Sequence, residues 1–234
     1  ATTEIYTLSL HDALRSSYAY GADHKRAMFT LITFGTKITA IMMLLMTFPL
    51  VFEIDYLLQL WLKTPPEYSS QLAVLVLVNI NISSFTYFLY QGVHATGNIK
   101  RQQIWMSGSY ILNIILIYLA FKMGYNFYAA LYVTMAISVC QNIFNMAMAK
   151  RYYGYDIRSF LMGSLAPCLV LALIVSPILF AIIQVLPSSF LRVVVVAIVG
   201  TALTLALGYY LVLNKEERNK TKVFIKQLKI NRKG

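Results

Sequence analysis

LAPCLVLALIVSPILFAIIQVLPSSFLRVVVVAIVGTALTLALGYYLVL, residues 165–213, contains a single charged residue, Arg192. It divides into two apolar segments, each close to the ~20 residues that an α-helix needs to cross about 30 Å of hydrocarbon. A helix suits that environment because it satisfies its own backbone hydrogen bonds. This part of the chain therefore predicts two consecutive membrane spans.

Four similar segments precede these two. The chain is 59% hydrophobic over 234 residues, well above the roughly 45–50% of soluble domains. We predict an all-α, polytopic membrane helix bundle with six spans at about 27–52, 72–93, 104–121, 127–148, 165–186 and 191–213. Pro167 and Pro177 are predicted to kink the fifth span, where neighbouring groups can satisfy the freed carbonyls.

Small residues form a stripe on the sixth span. Gly200, Thr204 and Gly208 recur every four residues, and this spacing predicts close approach of another helix. Cys140 and Cys168 fall within predicted spans and are expected to be small buried apolar residues rather than a disulfide or metal site.

The positive charge lies on every second connection. The formal net charge is +11, and the positive-inside rule then predicts that both ends of the six-span unit are cytoplasmic. Nucleic-acid binding explains the charge less well, because no soluble domain accompanies it. The basic connections hold Lys25, Arg26, Lys100, Arg101, Lys150, Arg151, Arg158 and the tail 214–234; Lys63, Lys122 and Arg192 stand apart from them.

The connection 53–71 contains Trp61, Pro65, Pro66 and Tyr68, and this composition predicts a short interfacial helix and a turn. The tail 214–234 mixes basic and apolar residues. It is predicted either to lie on anionic lipid as an amphipathic helix, or to be a solvated tail that enforces orientation.

The first residues, ATTEIYTLSLHDAL, resemble the translation of a sequencing-library adapter. We therefore expect residues 1–16 to be foreign to the native protein and disordered, and the native sequence to begin near Ser17 within a longer chain.

Three local patterns follow in order. They are SYAYGAD at 17–23, LWL at 60–62 with PEY at 66–68, and ATGNIK at 95–100. Together they resemble the C-terminal half of Wzx-type polysaccharide (O-antigen) flippases, which belong to the multidrug/oligosaccharidyl-lipid/polysaccharide exporter superfamily. The likeness covers essentially residues 17–158.

That resemblance implies a two-lobed helical transporter of the bacterial inner membrane that moves polyprenyl-pyrophosphate-linked oligosaccharide between leaflets by alternating access. This chain would supply part of the second lobe and two C-terminal helices, and its partner would be an N-terminal lobe of the same protein. The resemblance implies no cofactor.

Lys37 is the sharpest candidate for a functional residue. It lies about nine residues into the first predicted span, or ~14 Å, where a cation costs from ~2.5 kcal/mol upward. We expect Lys37 to line a water-filled cavity and attract the pyrophosphate or acidic sugars of the substrate. The alternatives are a carboxylate in the absent lobe, or snorkelling to an interface. The predicted spans contain no acidic residue, so no partner is expected within this chain.

Polar side chains in the second to fourth spans are the next candidates. Amides and phenols both donate and accept hydrogen bonds, so they suit sugar hydroxyls, and they equally suit bonds between helices. The candidates are Asn79, Asn81, Tyr87, Tyr90, Gln91, Asn113, Gln141, Asn142 and Asn145.

Signatures of enzymes are absent: the sequence shows no paired carboxylates, metal-ligand spacing, activated nucleophile or phosphate-binding loop. Alternatives to the flippase are an ion-driven multidrug exporter of the same superfamily, a membrane enzyme, and a scaffold subunit of polysaccharide assembly. The exporter would need a membrane-buried acid, and the enzyme larger loops.

Overall fold

The structure, a computed structural model, describes residues 22–219 and the side chains of residues 25–219. This part of the chain consists of helices joined by short connections and contains no strand. The helices are α1 Ala22–Leu62, α2 Ser69–Ser84, α3 Tyr87–Ala95, α4 Lys100–Lys122, α5 Tyr128–Tyr153, α6 Ile157–Phe160, α7 Ala166–Val185 and α8 Phe190–Leu207, with π-helical turns at Leu161–Leu165 and Gly208–Val212.

The prediction of six membrane-length helices is confirmed. They run over Lys25–Leu62, Ser69–Ala95, Lys100–Lys122, Tyr128–Tyr153, Ile157–Val185 and Phe190–Val212. The second combines α2 and α3, the fifth combines α6, a π turn and α7, and the sixth combines α8 and the other π turn. Residues 1–16, the SYAYG portion of the first resemblance motif and the tail beyond residue 219 lie outside the described residues.

Helix α1 is much longer than the sequence predicts. It has 41 residues and continues through Pro49 to Leu62, which is about 61 Å at 1.5 Å per residue. The prediction of a separate interfacial helix within 53–71 is therefore wrong, because residues 53–62 form the last turns of α1. The turn itself follows at 63–68, where Lys63 and Tyr68 adopt positive φ.

Two apolar clusters hold the bundle together, and α1 contributes to both. The first joins the beginning of α1, through Met28 and Ile32, to α3 and the end of α5. Tyr153 and Tyr155 are buried in this cluster as well. The second cluster joins the middle of α1, with Ile41, to α7 and α8.

The prediction of close helix packing at the small-residue stripe of α8 is confirmed. A Cβ at Gly208 would lie 3.1 Å from Ile41 Cδ1 of α1, and one at Gly200 would lie 3.3 Å from Leu179 Cδ1 of α7. Thr204 between them is fully buried. The sixth span therefore packs directly on the first, which makes the two ends of the described chain neighbours.

Gly35 offers a test of the packing between α1 and α3. A Cβ at this position would lie 2.5 Å from the Phe88 ring, so Gly35→Ala forces the ring to move and is expected to destabilise the protein by about 1–3 kcal/mol. The measurement is equilibrium unfolding in detergent micelles. Gly108→Ala is the matched control, because a Cβ there meets no atom within 4 Å and helix propensity favours alanine by about 0.8–1 kcal/mol. Equal stability of the two variants would contradict the packing described here.

The basic connections meet at one end of the bundle, which we call the basic end. It contains the start of α1, the α3–α4 and α5–α6 connections and the segment after α8. Contacts across it include a hydrogen bond between the hydroxyls of Thr33 and Tyr155. At the opposite end, the Tyr68 ring packs on Phe127 and Tyr128. That the basic end is cytoplasmic remains a prediction.

Candidate functional site

Lys37 forms a buried ion pair at the basic end. Its Nζ donates to Glu217 Oε2 at 2.8 Å and to Oε1 at 3.0 Å. The Lys37 side chain is 1% exposed and that of Glu217 is 8% exposed. Removing two charges from water to this extent is costly, and short hydrogen bonds between the two partners offset that cost.

The sequence after the sixth span explains how Glu217 reaches Lys37. Asn214 and Glu217 have the spacing of a helix N-cap residue and its third helical residue, and residues 215–219 are helical. The Asn214 backbone N–H donates to Glu217 Oε2 at 2.7 Å. Arg218 folds back onto the same span, donating to the Leu213 carbonyl at 2.9 Å and the Tyr210 carbonyl at 2.6 Å. We call residues 213–218 the strap.

Tyr155 lies beside this pair. Burial raises the pKa of its phenol, and the charges of Asp156 and Glu217 act in the same direction, whereas the hydrogen bond with Thr33 opposes them. Tyr155 therefore stays neutral and serves as a hydrogen-bonding partner of α1. Asp156 caps α6 by accepting from the backbone of Arg158 and Ser159, and the Ser159 hydroxyl is the main cause that lowers the pKa of its carboxyl.

Two expectations about charge are wrong. Lys37 does have an acidic partner within the chain, because the strap returns Glu217 to α1. Residues 215–219, at the start of the tail, are helical, with Glu217 buried and Asn214, Lys215 and Glu216 exposed, so both alternatives for the tail stay predictions. A buried acid also lies within the first membrane-length helix: Glu53 is 1% exposed. The absence of acids therefore no longer counts against an ion-coupled exporter, although both buried acids are paired with cations.

Glu53 pairs with Arg192 at the opposite end. The Arg192 guanidinium donates from Nε and Nη2 to the two carboxylate oxygens, both at 2.9 Å. Its Nη1 also donates to the Ile183 and Leu186 carbonyls at the end of α7, at 3.5 and 3.3 Å. The isolated position of Arg192 in the charge pattern is thus explained by a structural ion pair. The two pairs lie about 24 Å apart along α1.

The predicted amides of the second to fourth spans join helices to one another. Asn142 accepts from the Thr86 hydroxyl at 2.6 Å and donates to the Ile82 carbonyl at 2.6 Å. Asn145 donates to Thr86 at 3.0 Å and accepts from Gln102 at 3.2 Å. Thr86 and Gln102 were missed by the sequence analysis. Thr86 lies where the helix is interrupted between α2 and α3, and its hydroxyl bridges two asparagines there.

The remaining amides are more scattered. Asn81 donates to Thr47 at 2.7 Å, Asn113 and Thr134 approach at 3.3 Å, and Gln141 donates to Ser109 at 2.6 Å. Asn79 Oδ1 is buried without a hydrogen-bond partner. The structure therefore does not gather all the predicted site residues in one place, although it brings Asn81 and Asn142 to one cavity.

That cavity has a volume of about 330 Å³ and lies between α1, α2, α5 and α7. Its walls are almost entirely apolar apart from Asn81, Ser84 and Asn142. Three lining residues are half exposed and therefore rim its mouth: Val139, Ile143 and Leu169.

α3 carries a polar stripe on the face that points away from the bundle. Leu89, Gly92 and Val93 are buried on the inner face. The outer face carries a set of phenols, amides and an imidazole at helical spacing, with Gln103 of α4 beside them: Tyr87, Tyr90, Gln91, His94 and Gln103. We call this set the polar stripe.

The polar stripe is internally hydrogen-bonded. Gln91 Nε2 donates to the Tyr87 hydroxyl at 2.7 Å, and Gln103 Nε2 donates to the Tyr90 hydroxyl at 3.1 Å. The Tyr90 ring packs on His94 with centroids 4.2 Å apart. Tyr87 remains 45% exposed. The stripe thus presents phenols and amides that are hydrogen-bonded to one another on the exterior of the bundle.

Within residues 22–219, no group of three or more His, Cys, Asp or Glu side chains could hold a metal ion. Cys168 is buried as expected, but Cys140 is exposed on the surface of α5, so that expectation is wrong for Cys140. Comparisons of the chain with protein-family models, curated proteins and solved structures found no match.

Proposed function

We propose that this chain is part of a transporter that moves polyprenyl-pyrophosphate-linked oligosaccharide across the bacterial inner membrane for surface polysaccharide biosynthesis. The observation that carries the proposal is the polar stripe on α3. Tyr87, Tyr90 and Gln91 fall within a helix that is long and apolar enough to span a membrane, yet they lie on the outside of the bundle.

A lipid-facing surface favours apolar side chains, because a polar group in hydrocarbon has no water to bond. α4 follows this rule in part: Ile111 and Ile114 are 63% and 69% exposed, and the exposed phenols of this helix, Tyr110 and Tyr118, are eight residues apart. The polar stripe departs from it, which favours a position against water or against another polar surface. In a two-lobed transporter that position is the cavity between the lobes.

The chemistry of the polar stripe suits a carbohydrate. Phenols and amides donate and accept hydrogen bonds, as sugar hydroxyls require, and aromatic faces bury the apolar faces of a ring. The apolar cavity beside Asn81 and Asn142 suits a hydrocarbon chain. An amphiphile with a glycan head and a polyprenyl tail combines both requirements.

The structure divides the predicted site residues into those that bond helices together and those that face outward. Asn113 and Asn142 engage in helix-to-helix hydrogen bonds, so they position the walls of a pathway, while Tyr87 and Gln91 are the stronger candidates for contact with sugar. Lys37 would attract an anionic headgroup only after Glu217 has moved away. Anionic lipid remains our proposed partner of the tail beyond residue 219, and an N-terminal lobe our proposed partner of the polar stripe.

The test is glycan export by cells carrying the gene with Tyr87→Ala and Gln91→Ala together. Loss of one aromatic contact and its hydrogen bonds removes about 1.4 kcal/mol or more of binding, which corresponds to about tenfold. We expect surface polysaccharide to fall by about that factor, with protein abundance unchanged. Surface labelling of the glycan and immunoblotting of the protein measure the two quantities.

Tyr118→Ala is the matched control, because Tyr118 is 64% exposed on α4 and lies outside the polar stripe. Parental export by the double variant would contradict the role of the stripe. Parental export after deletion of the whole gene would contradict the flippase proposal, and a loss of drug resistance instead of polysaccharide would indicate the multidrug exporter.

A further inference from the structure

We propose that the strap, residues 213–218, is a releasable latch that closes the basic end of the bundle, and that the Lys37–Glu217 ion pair holds it shut. Its release would uncover Lys37 to water. The latch is a property of this chain whether or not the transported molecule is the one proposed above.

The first argument is the distribution of bonds. Lys37 and Glu217 join the strap to α1 through two hydrogen bonds of 2.8 and 3.0 Å. Asn214 and Arg218, by contrast, hydrogen-bond within the strap and to Tyr210 of the same span. Beyond Leu213, which is buried in the second apolar cluster, the strap is folded by its own contacts and docked through a charge pair. Residues 214–218 can therefore leave α1 without losing their local structure.

The second argument is the space beneath the strap. A cavity of about 570 Å³ separates the strap from the first turns of α1, lined by Phe29, Thr30, Thr33, Asn214, Lys215, Glu216 and Glu217. Most of these side chains are polar, so water can fill the cavity. Leu213, the first residue of the strap, belongs to the second apolar cluster and stays with the span. Residues 214–218 bury little apolar surface at this cavity, so undocking them costs little hydrophobic free energy, and the ion pair is the main contact that opposes it.

The third argument is the backbone that leads to the strap. The π-helical turn Gly208–Val212 directly precedes it, and such turns are rare and occur often at functional sites. The other π turn of the described chain, Leu161–Leu165, is directly followed by α7. Gly208 faces Ile41 of α1, which fixes the span up to the point where the strap begins.

The experiment measures the distance between nitroxide labels at Thr30→Cys and Lys215→Cys by pulsed electron paramagnetic resonance. Both positions line the cavity under the strap, and the background is Cys140→Ser with Cys168→Ala. We expect one short distance in this parent. Glu217→Gln is expected to add a second population at longer distance, because Lys37 then lacks a charged partner.

Glu216→Gln is the matched control, since it removes the same charge from the exposed neighbour and is expected to leave the parental distance. Glu217→Asp keeps the charge but shortens the side chain by one carbon, and should release part of the population even if Glu217→Gln fails to fold. A parental distance distribution in the Glu217→Asp protein, or equal broadening in Glu216→Gln, would overturn the latch.

Discussion

Glu53→Gln is expected to lower the free energy of unfolding by about 3–5 kcal/mol, because it leaves the Arg192 guanidinium buried without its carboxylate. The Glu53 side chain is fully buried, and that of Arg192 is 12% exposed. The bidentate geometry adds to the loss, since both carboxylate oxygens accept from Arg192. For a chain of this size the melting temperature should fall by about 6–20 °C.

Asp55→Asn provides the comparison, because Asp55 is exposed on the same helix two residues further on. Surface charge changes of this kind stay within about 0.5 kcal/mol. Replacing both partners, as in Glu53→Leu with Arg192→Leu, should recover most of the stability, because an apolar pair needs no desolvation. If Glu53→Gln unfolds at the same temperature as Asp55→Asn in the same detergent, the ion pair does not stabilise the bundle.

Phe160→Ala is expected to lower the free energy of unfolding by about 3–5 kcal/mol, because truncation leaves a cavity in the first apolar cluster. Phe160 is completely buried. Its ring packs against Phe85 and Tyr155, with centroids 5.3 and 5.9 Å apart. Phe160, at the end of α6, therefore links Tyr155 of the α5–α6 connection to Phe85 of the second membrane-length helix.

The measurement is again equilibrium unfolding of the purified protein. Phe121→Ala removes the same ring from α4, where Phe121 is 47% exposed, and should change stability far less. A loss below 1 kcal/mol for Phe160→Ala would show that the α5–α6 connection is not anchored by this ring.

The spans could be predicted because the signal is local: a run of apolar residues is visible without knowledge of the helices that pack on it. The position at which α1 ends could not be predicted from such a signal. Glu53 and Asp55 resemble the polar edge of a span, and only Arg192, 139 residues away, makes Glu53 acceptable inside a packed bundle. Long-range pairing of this kind leaves no mark on a single sequence.

In the candidate site, too, local features could be predicted and long-range partners could not. Lys37 was found because a cation within an apolar segment is unusual, but its partner lies outside every predicted span. One local signal was available, since Asn214 and Glu217 have capping-box spacing directly after the sixth span. Thr86 carried no comparable signal, because a single threonine in an apolar helix is common and its role depends on the two asparagines that reach it.

The pairing of α1 with the sixth span has a consequence for biogenesis. Both buried charges of α1 find their counter-charges in the last part of the described chain, 139 and 180 residues downstream. At about 5–20 residues per second of synthesis, the ribosome delivers Glu217 roughly 10–40 s after Lys37. During that interval α1 resides in the translocon or the bilayer with two unneutralised charges, which are unfavourable within hydrocarbon. We therefore expect nascent chains arrested before the sixth span to hold α1 less stably than the full chain does, because neither charge has met its partner.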